Sequence, residues 1–141
     1  MGSIRVLLAD DHTILRQGIR VLLESQEDIE VVGEASNGRE AISLAKQFRP
    51  DVVLMDIAMP LLNGLEATRQ IKHDFPEISI LVLTMYDTEE YVTQILRAGA
   101  AGYVLKKVAA TELVAAIQSV YQGEAFLYPS VTRTVLEDYL R

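Results

Sequence analysis

The chain has 141 residues, half of them hydrophobic and 23% charged, with a formal net charge of −7 and no cysteine. That length fits one domain able to bury a core without staples, and the composition is globular rather than disordered. Absence of cysteine excludes disulfide frameworks, thiolate metal sites and Cys nucleophiles, and the acidic balance argues against this chain holding nucleic acid by itself. No apolar run approaches the roughly 20 residues of a membrane helix, and the first residues lack a signal-peptide pattern, so a cytoplasmic protein is expected.

Ile4-Arg5-Val6-Leu7-Leu8-Ala9 is an apolar run that reads as a buried strand and ends in Asp10-Asp11. The period then changes. Ile14, Leu15, Gly18, Ile19, Leu22 and Leu23 recur three and four apart, which predicts an amphipathic helix capped by Asp11 or Thr13. Residues 29–35 read as a second strand, and Asn37-Gly38-Arg39-Glu40 opens a helix with capping-box spacing that Arg49-Pro50 ends. Val52-Val53-Leu54-Met55 is a strand buried on both faces; it delivers Asp56, and Pro60 forces the chain out of the sheet. Asn63-Gly64-Leu65-Glu66 repeats the capping pattern and starts a helix that Phe75-Pro76 closes. Residues 78–84 form the fourth strand, ending in the hydroxyl of Thr84, and Asp87-Thr88-Glu89-Glu90 begins a helix finished by Ala98-Gly99. Residues 101–105 are a short fifth strand ending in Lys106-Lys107, followed by a helix over about 111–122. Strands alternating with helices predict one doubly wound α/β sheet, because right-handed crossovers place helices on both faces. Val131, Val135, Leu136, Tyr139 and Leu140 suggest a last amphipathic helix with no strand after it.

The chemistry lies in what the strands deliver together. In a parallel sheet the ends bearing Asp10, Asp11, Asp56, Thr84 and Lys106 open on one edge, where α/β sheets bind ligands. Three carboxylates beside one ammonium disfavour their own ionisation unless a divalent cation intervenes. Hard oxygen ligands suit Mg²⁺, which leaves room for a phosphoryl oxygen. Asp56 can attack phosphorus, the metal and Lys106 can hold the oxygens, and Thr84 can donate to another. Two other classes use related parts. A haloacid dehalogenase-type phosphatase also has an Asp nucleophile but wants a second Asp two residues on, where Ala58 stands. An FMN carrier wants a first loop rich in Ser, Thr and Gly, where Asp10-Asp11 stands. His12 is expected to face solvent, and His73 has no partner spacing.

Asp10-Asp11, Asp56 followed by Met59-Pro60, Thr84 and Lys106 resemble the signature of the response-regulator receiver domain of bacterial two-component systems, over roughly residues 3–123. The resemblance implies a single (βα)5 flavodoxin-like sandwich with strand order 2-1-3-4-5. It implies that Asp56 is the phosphoacceptor, taking a phosphoryl group from a sensor histidine kinase. By the same resemblance Asp11, Asp56 and the backbone carbonyl of Ala58 bind Mg²⁺ (or Mn²⁺), with Asp10 acting through water. Thr84 and Lys106 would contact the aspartyl phosphate, and Tyr103 would be the switch aromatic that rotates inward behind Thr84. Ala58 and Tyr86 would control water access. Such a domain catalyses its own phosphorylation and dephosphorylation and is not a turnover enzyme.

Ala9-Asp10-Asp11-His12, Leu83-Thr84-Met85-Tyr86 and the run 99–107 resemble receivers of the NarL/FixJ group, which usually precede a LuxR-type helix-turn-helix. The resemblance implies that residues 124–141 are a linker with an amphipathic helix leading toward a C-terminal output domain that lies outside this sequence. DNA would be reached only through that domain, no membrane is involved, and phosphorylation is expected to promote a homodimer. Many members carry Pro after the conserved Lys, where this chain has Lys107.

Overall fold

The computed structural model describes residues 3–86 and 88–127. Five strands, β1 (Ile4–Ala9), β2 (Ile29–Ala35), β3 (Val52–Asp56), β4 (Ser79–Thr84) and β5 (Gly102–Leu105), alternate with α1 (Thr13–Glu24), α2 (Gly38–Phe48), α3 (Gly64–Asp74), α4 (Glu89–Arg97) and α5 (Ala109–Tyr121). All strand pairs are parallel and the order is β2-β1-β3-β4-β5, as expected. Residues 128–141, with the expected linker helix, lie outside the described residues.

The two faces of the sheet divide the core by strict alternation. Leu7, Ala9, Val53, Met55, Ile80, Val82 and Tyr103 point to α2, α3 and α4, where Ala41, Ala45, Ala67, Ile71, Val92 and Ile95 receive them. Val6, Leu8, Leu54, Leu81, Leu83 and Val104 point to α1 and α5, against Ile19, Leu23, Leu113, Ile117 and Val120. β3 is buried along its whole length because it lies at the centre of the sheet with helices on both sides. No described helix is long and apolar enough to cross a membrane.

Helix starts follow local chemistry, with instructive departures. Asn37 and Asn63 cap α2 and α3, accepting from the backbone N–H of Glu40 and Glu66 at 2.9 and 3.0 Å. The reciprocal half of each expected box differs. Glu40 reaches back to Ser36 N–H at 2.8 Å, and Glu66 turns to Arg69 at 2.9 Å. Neither Asp11 nor Thr13 caps α1. Its cap position is His12, which makes no side-chain cap bond; the Asp10 carboxylate accepts the His12 N–H at 2.8 Å. α5 begins at Ala109, two residues earlier than expected, after a 3-10 turn over Lys106–Val108.

Beyond α5 the chain returns to the sheet. Phe126 pairs in parallel with Gly102, accepting from Tyr103 N–H at 3.2 Å and donating to Ala101 C=O at 3.3 Å. A Cβ on Gly102 would lie 2.3 Å from the Phe126 oxygen, so the close approach requires glycine.

Candidate functional site

Parallel register brings the strand ends to one level. Ala9 pairs with Met55, Asp56 with Leu83, and Thr84 with Leu105, so Asp10, Asp56, Thr84 and Lys106 emerge within about two residues of each other along the sheet edge. The edge is the carboxyl end of all five strands, as the sequence requires.

Asp56 and Asp10 are each only 2% exposed. Lys106 reaches across from the turn after β5, its Nζ 3.0 Å from Asp56 Oδ1 and 4.0 Å from Asp10 Oδ2. One ligand atom from each of Asp10, Asp11, His12 and Asp56 lies within 4.8 Å of the others. Burial pushes the Asp56 carboxyl above its usual range; the Lys106 hydrogen bond opposes this, while the charges of Asp10 and then Asp11 add to it. Oδ2 of Asp10 and Oδ2 of Asp56 are buried without a hydrogen-bond partner among the described residues. Two orphaned, buried carboxylate oxygens facing one cluster are what a hard divalent cation would satisfy, so these residues fit Mg²⁺.

The chain after Asp56 is held tightly. Gly64 N–H donates to Ile57 C=O at 2.9 Å, and a Cβ on Gly64 would lie 2.0 Å from the Asp56 carbonyl oxygen. This contact seats α3 against the strand end and shapes the loop bearing Ala58, which is exposed at the rim. Leu61 in the same loop takes φ of 67° and is 74% exposed.

Thr84 is buried, but its hydroxyl is engaged with its own loop, donating to Tyr86 C=O at 3.0 Å and accepting Tyr86 N–H at 3.1 Å. Tyr86 is exposed and packs its ring on Tyr91, with centroids 5.6 Å apart. The Tyr103 side chain is fully buried on the α4 face of the sheet, in one cluster with Val92 and Ile95.

His12 faces solvent as expected, exposed over 62% of its side chain, and its Nδ1 also lies 3.2 Å from Asp10 and 3.3 Å from Asp11. Sequence reasoning missed Arg16, whose Nη1 donates to the Asp10 carbonyl at 2.5 Å and whose Nε pairs with Glu34 at 2.9 Å. No local pattern in the sequence links α1 to β2 at that point.

A doubly wound sheet with an acidic trio and one lysine at its carboxyl edge defines a receiver-type site, and residues 6–118 match the response regulator receiver domain; the chain belongs to that family. Within the family it is similar to LuxR-type transcriptional regulators. It is 41% identical over 140 residues to the transcriptional regulatory protein DegU of Brevibacillus brevis, covering 99% of this chain and 59% of that protein. It is 41% identical over 137 residues to the oxygen regulatory protein NreC of Staphylococcus carnosus, covering 96% and 63%. The chain thus spans about three fifths of the length of these curated relatives. Among solved structures, a LuxR-family two-component response regulator from Aurantimonas sp. SI85-9A1 superimposes with a TM-score of 0.88 at 35% identity, covering 99% of this chain and all of that one. The isolated receiver of RcsB from Salmonella enterica serovar Typhimurium, solved with a phosphomimetic, gives 0.83 at 34% identity, covering 94% and 99%.

Proposed function

We propose that Asp56 accepts a phosphoryl group from a histidine of a sensor kinase and that the modified domain regulates a transcriptional output carried by the rest of the protein. The observation that carries this reading is the buried Asp56 carboxylate, 3.0 Å from Lys106 and clustered with Asp10 and Asp11 at the sheet edge. In this reading residues 3–123 are the receiver and residues 124–141 lead toward the output domain.

The reaction follows from the chain's own groups. An Asp56 carboxylate oxygen attacks phosphorus, and a P–O bond forms as the donor's P–N bond breaks and the imidazole leaves, taking a proton from solvent. Lys106 meets the charge on a phosphoryl oxygen in a site shielded from water, where such a contact is strong. Asp10, Asp11, Asp56 and the Ala58 carbonyl would hold Mg²⁺, which supplies positive charge against the remaining phosphoryl oxygens. Ala58 and Tyr86, both exposed, would govern attack by water on the acyl phosphate.

Thr84 is the moving part. To donate to the phosphate its hydroxyl must give up its bond to Tyr86 C=O, worth about 1 kcal/mol net, for a charge-assisted bond about twice as strong, while its oxygen can still accept the Tyr86 N–H. Loss of the bond to the Tyr86 carbonyl loosens the segment carrying exposed Met85 and Tyr86 and alters the surface next to α4, β5 and α5. Tyr103 then acts as the buried wall behind Thr84, and a homodimer on the altered face is the expected consequence. The test is intact mass after incubation with Mg²⁺ and acetyl phosphate. A single acid-labile phosphoryl adduct that disappears in Asp56→Asn and without Mg²⁺ is expected; an adduct independent of Asp56, or none on folded protein, overturns the reading.

A further inference from the structure

We infer that Arg16 is a positioning residue for the cation site, acting by fixing the main chain of Asp10 and Asp11; the inference rests on the receiver reading of that site. Asp10 is clamped at three points. Its N–H donates to Ala35 C=O at 3.0 Å, its Oδ1 accepts the His12 N–H at 2.8 Å, and its C=O accepts from Arg16 Nη1 at 2.5 Å. The second already restricts the peptide joining Asp10 to Asp11, because the ring it closes contains that peptide. The third holds the orientation of that peptide directly, because the carbonyl of Asp10 and the N–H of Asp11 belong to one plane.

With that plane held by Arg16 and the next N–H held by Asp10 Oδ1, the direction in which the Asp11 side chain leaves the backbone is set from both sides. Asp10 Oδ2 is then the oxygen left to face Asp56 and Lys106, buried without a hydrogen bond among the described residues. The Asp11 side chain, by contrast, is one third exposed and, among the described residues, is paired with the imidazole of His12 at 3.3 Å, so its placement depends largely on its backbone.

Arg16 is itself braced. Nε lies 2.9 Å from Glu34 Oε1, and Arg20 takes the other Glu34 oxygen at 2.5 Å. Only 16% of the Arg16 side chain is exposed. The planar fork of a guanidinium can hold a carboxylate with Nε while Nη1 reaches a carbonyl; an ammonium on a flexible stem cannot hold both in one geometry. Glu34 also neutralises Arg16, so the clamp brings no net charge toward a site that must attract a cation. Three elements, β1, β2 and α1, are thereby tied to the acidic loop by one side chain.

Groups that orient metal ligands from behind typically change metal affinity by about 10-fold to 100-fold when removed. The experiment is Mg²⁺ titration of ¹⁵N-labelled protein followed by amide shifts, on wild type, Arg16→Met, Arg16→Lys and Asp56→Asn, with thermal melts in EDTA. Arg16→Met should weaken Mg²⁺ binding about tenfold and shift the Asp11 and His12 amides in EDTA, and Arg16→Lys, keeping one donor for the Asp10 carbonyl, should fall between it and wild type at about a threefold loss or more. The Arg16→Lys melt in EDTA should stay close to that of wild type, which separates positioning from a general loss of stability. An Arg16→Met affinity within about threefold of wild type, or Arg16→Lys equal to wild type, overturns the inference. Should Arg16→Met fail to fold, Arg16→Lys decides alone by the same threefold criterion. Mg²⁺ binding absent from wild type, or unchanged in Asp56→Asn, removes the site reading itself, and this inference with it.

Discussion

Replacing Asp56 by Asn should make the metal-free protein more stable, although it removes a salt bridge. Lys106 attracts Asp56 across 3.0 Å, worth about 5.5 kcal/mol at an effective dielectric of about 20. Asp10, with a ligand oxygen within 4.8 Å, repels it by about 3.5 kcal/mol or more on the same scale, and the partly exposed Asp11 adds a smaller amount. Attraction and repulsion therefore nearly cancel, and the burial of a carboxylate that is 2% exposed decides the sign. Asn keeps an oxygen for Lys106 and drops the charge, so a gain of about 1–3 kcal/mol is expected, or a melting midpoint higher by roughly 3–10 °C for a chain of this size. The pH dependence follows from the raised carboxyl. Because the folded state binds the Asp56 proton more tightly than the unfolded chain, the Asp56 contribution to stability falls as pH rises above 3.8 through the folded-state titration, and the advantage of Asn grows over that window. At or below pH 3.8 the two proteins should converge. Added Mg²⁺ should reverse the order, since a cation at 100 times its dissociation constant stabilises by about 2.7 kcal/mol and the variant has lost a ligand. Calorimetric melts in EDTA and in Mg²⁺ at pH 8 and pH 4 test this. Asp56→Asn melting at or below wild type in EDTA at pH 8 would refute the reasoning.

Other consequences are open to measurement. Lys106→Met leaves Asp10 and Asp56 buried without their cation and should lose about 2–4 kcal/mol in urea unfolding with EDTA, a loss that Mg²⁺ partly restores; a neutral result would show that the lysine is too solvated to matter. Gly102→Ala places a methyl 2.3 Å from the Phe126 oxygen, so residues 124–127 should leave the sheet edge and the amides of Tyr103 and Phe126 should lose exchange protection, at about 1–2 kcal/mol; retained protection would count against the close approach. Leu61→Gly relieves a left-handed backbone cost of about 1–2 kcal/mol against a glycine entropy cost of about 0.5–1, so a net gain of up to about 1.5 kcal/mol is expected from chemical denaturation.

What reaches the sheet edge was legible in the chain because it depends on local pattern alone. Apolar runs that break at Asp10, Asp56, Thr84 and Lys106 state where each strand stops, and a parallel α/β arrangement leaves only one edge on which those stops can lie. Asn37 and Asn63 were readable as caps for the same reason, since a cap bond spans three residues. The features that escaped are set by register between segments far apart in sequence. Arg16 meets Glu34 across 18 positions, and Phe126 meets Gly102 across the sheet edge. Which face β5 turns to α4 placed Tyr103 wholly inside. Asp10 takes the His12 N–H and α1 starts without a side-chain cap, a choice among equally plausible short-range bonds. Sequence by itself determined which groups arrive at the site; tertiary packing decided which way they face, because direction depends on partners that only the folded sheet and its helices bring within hydrogen-bond reach.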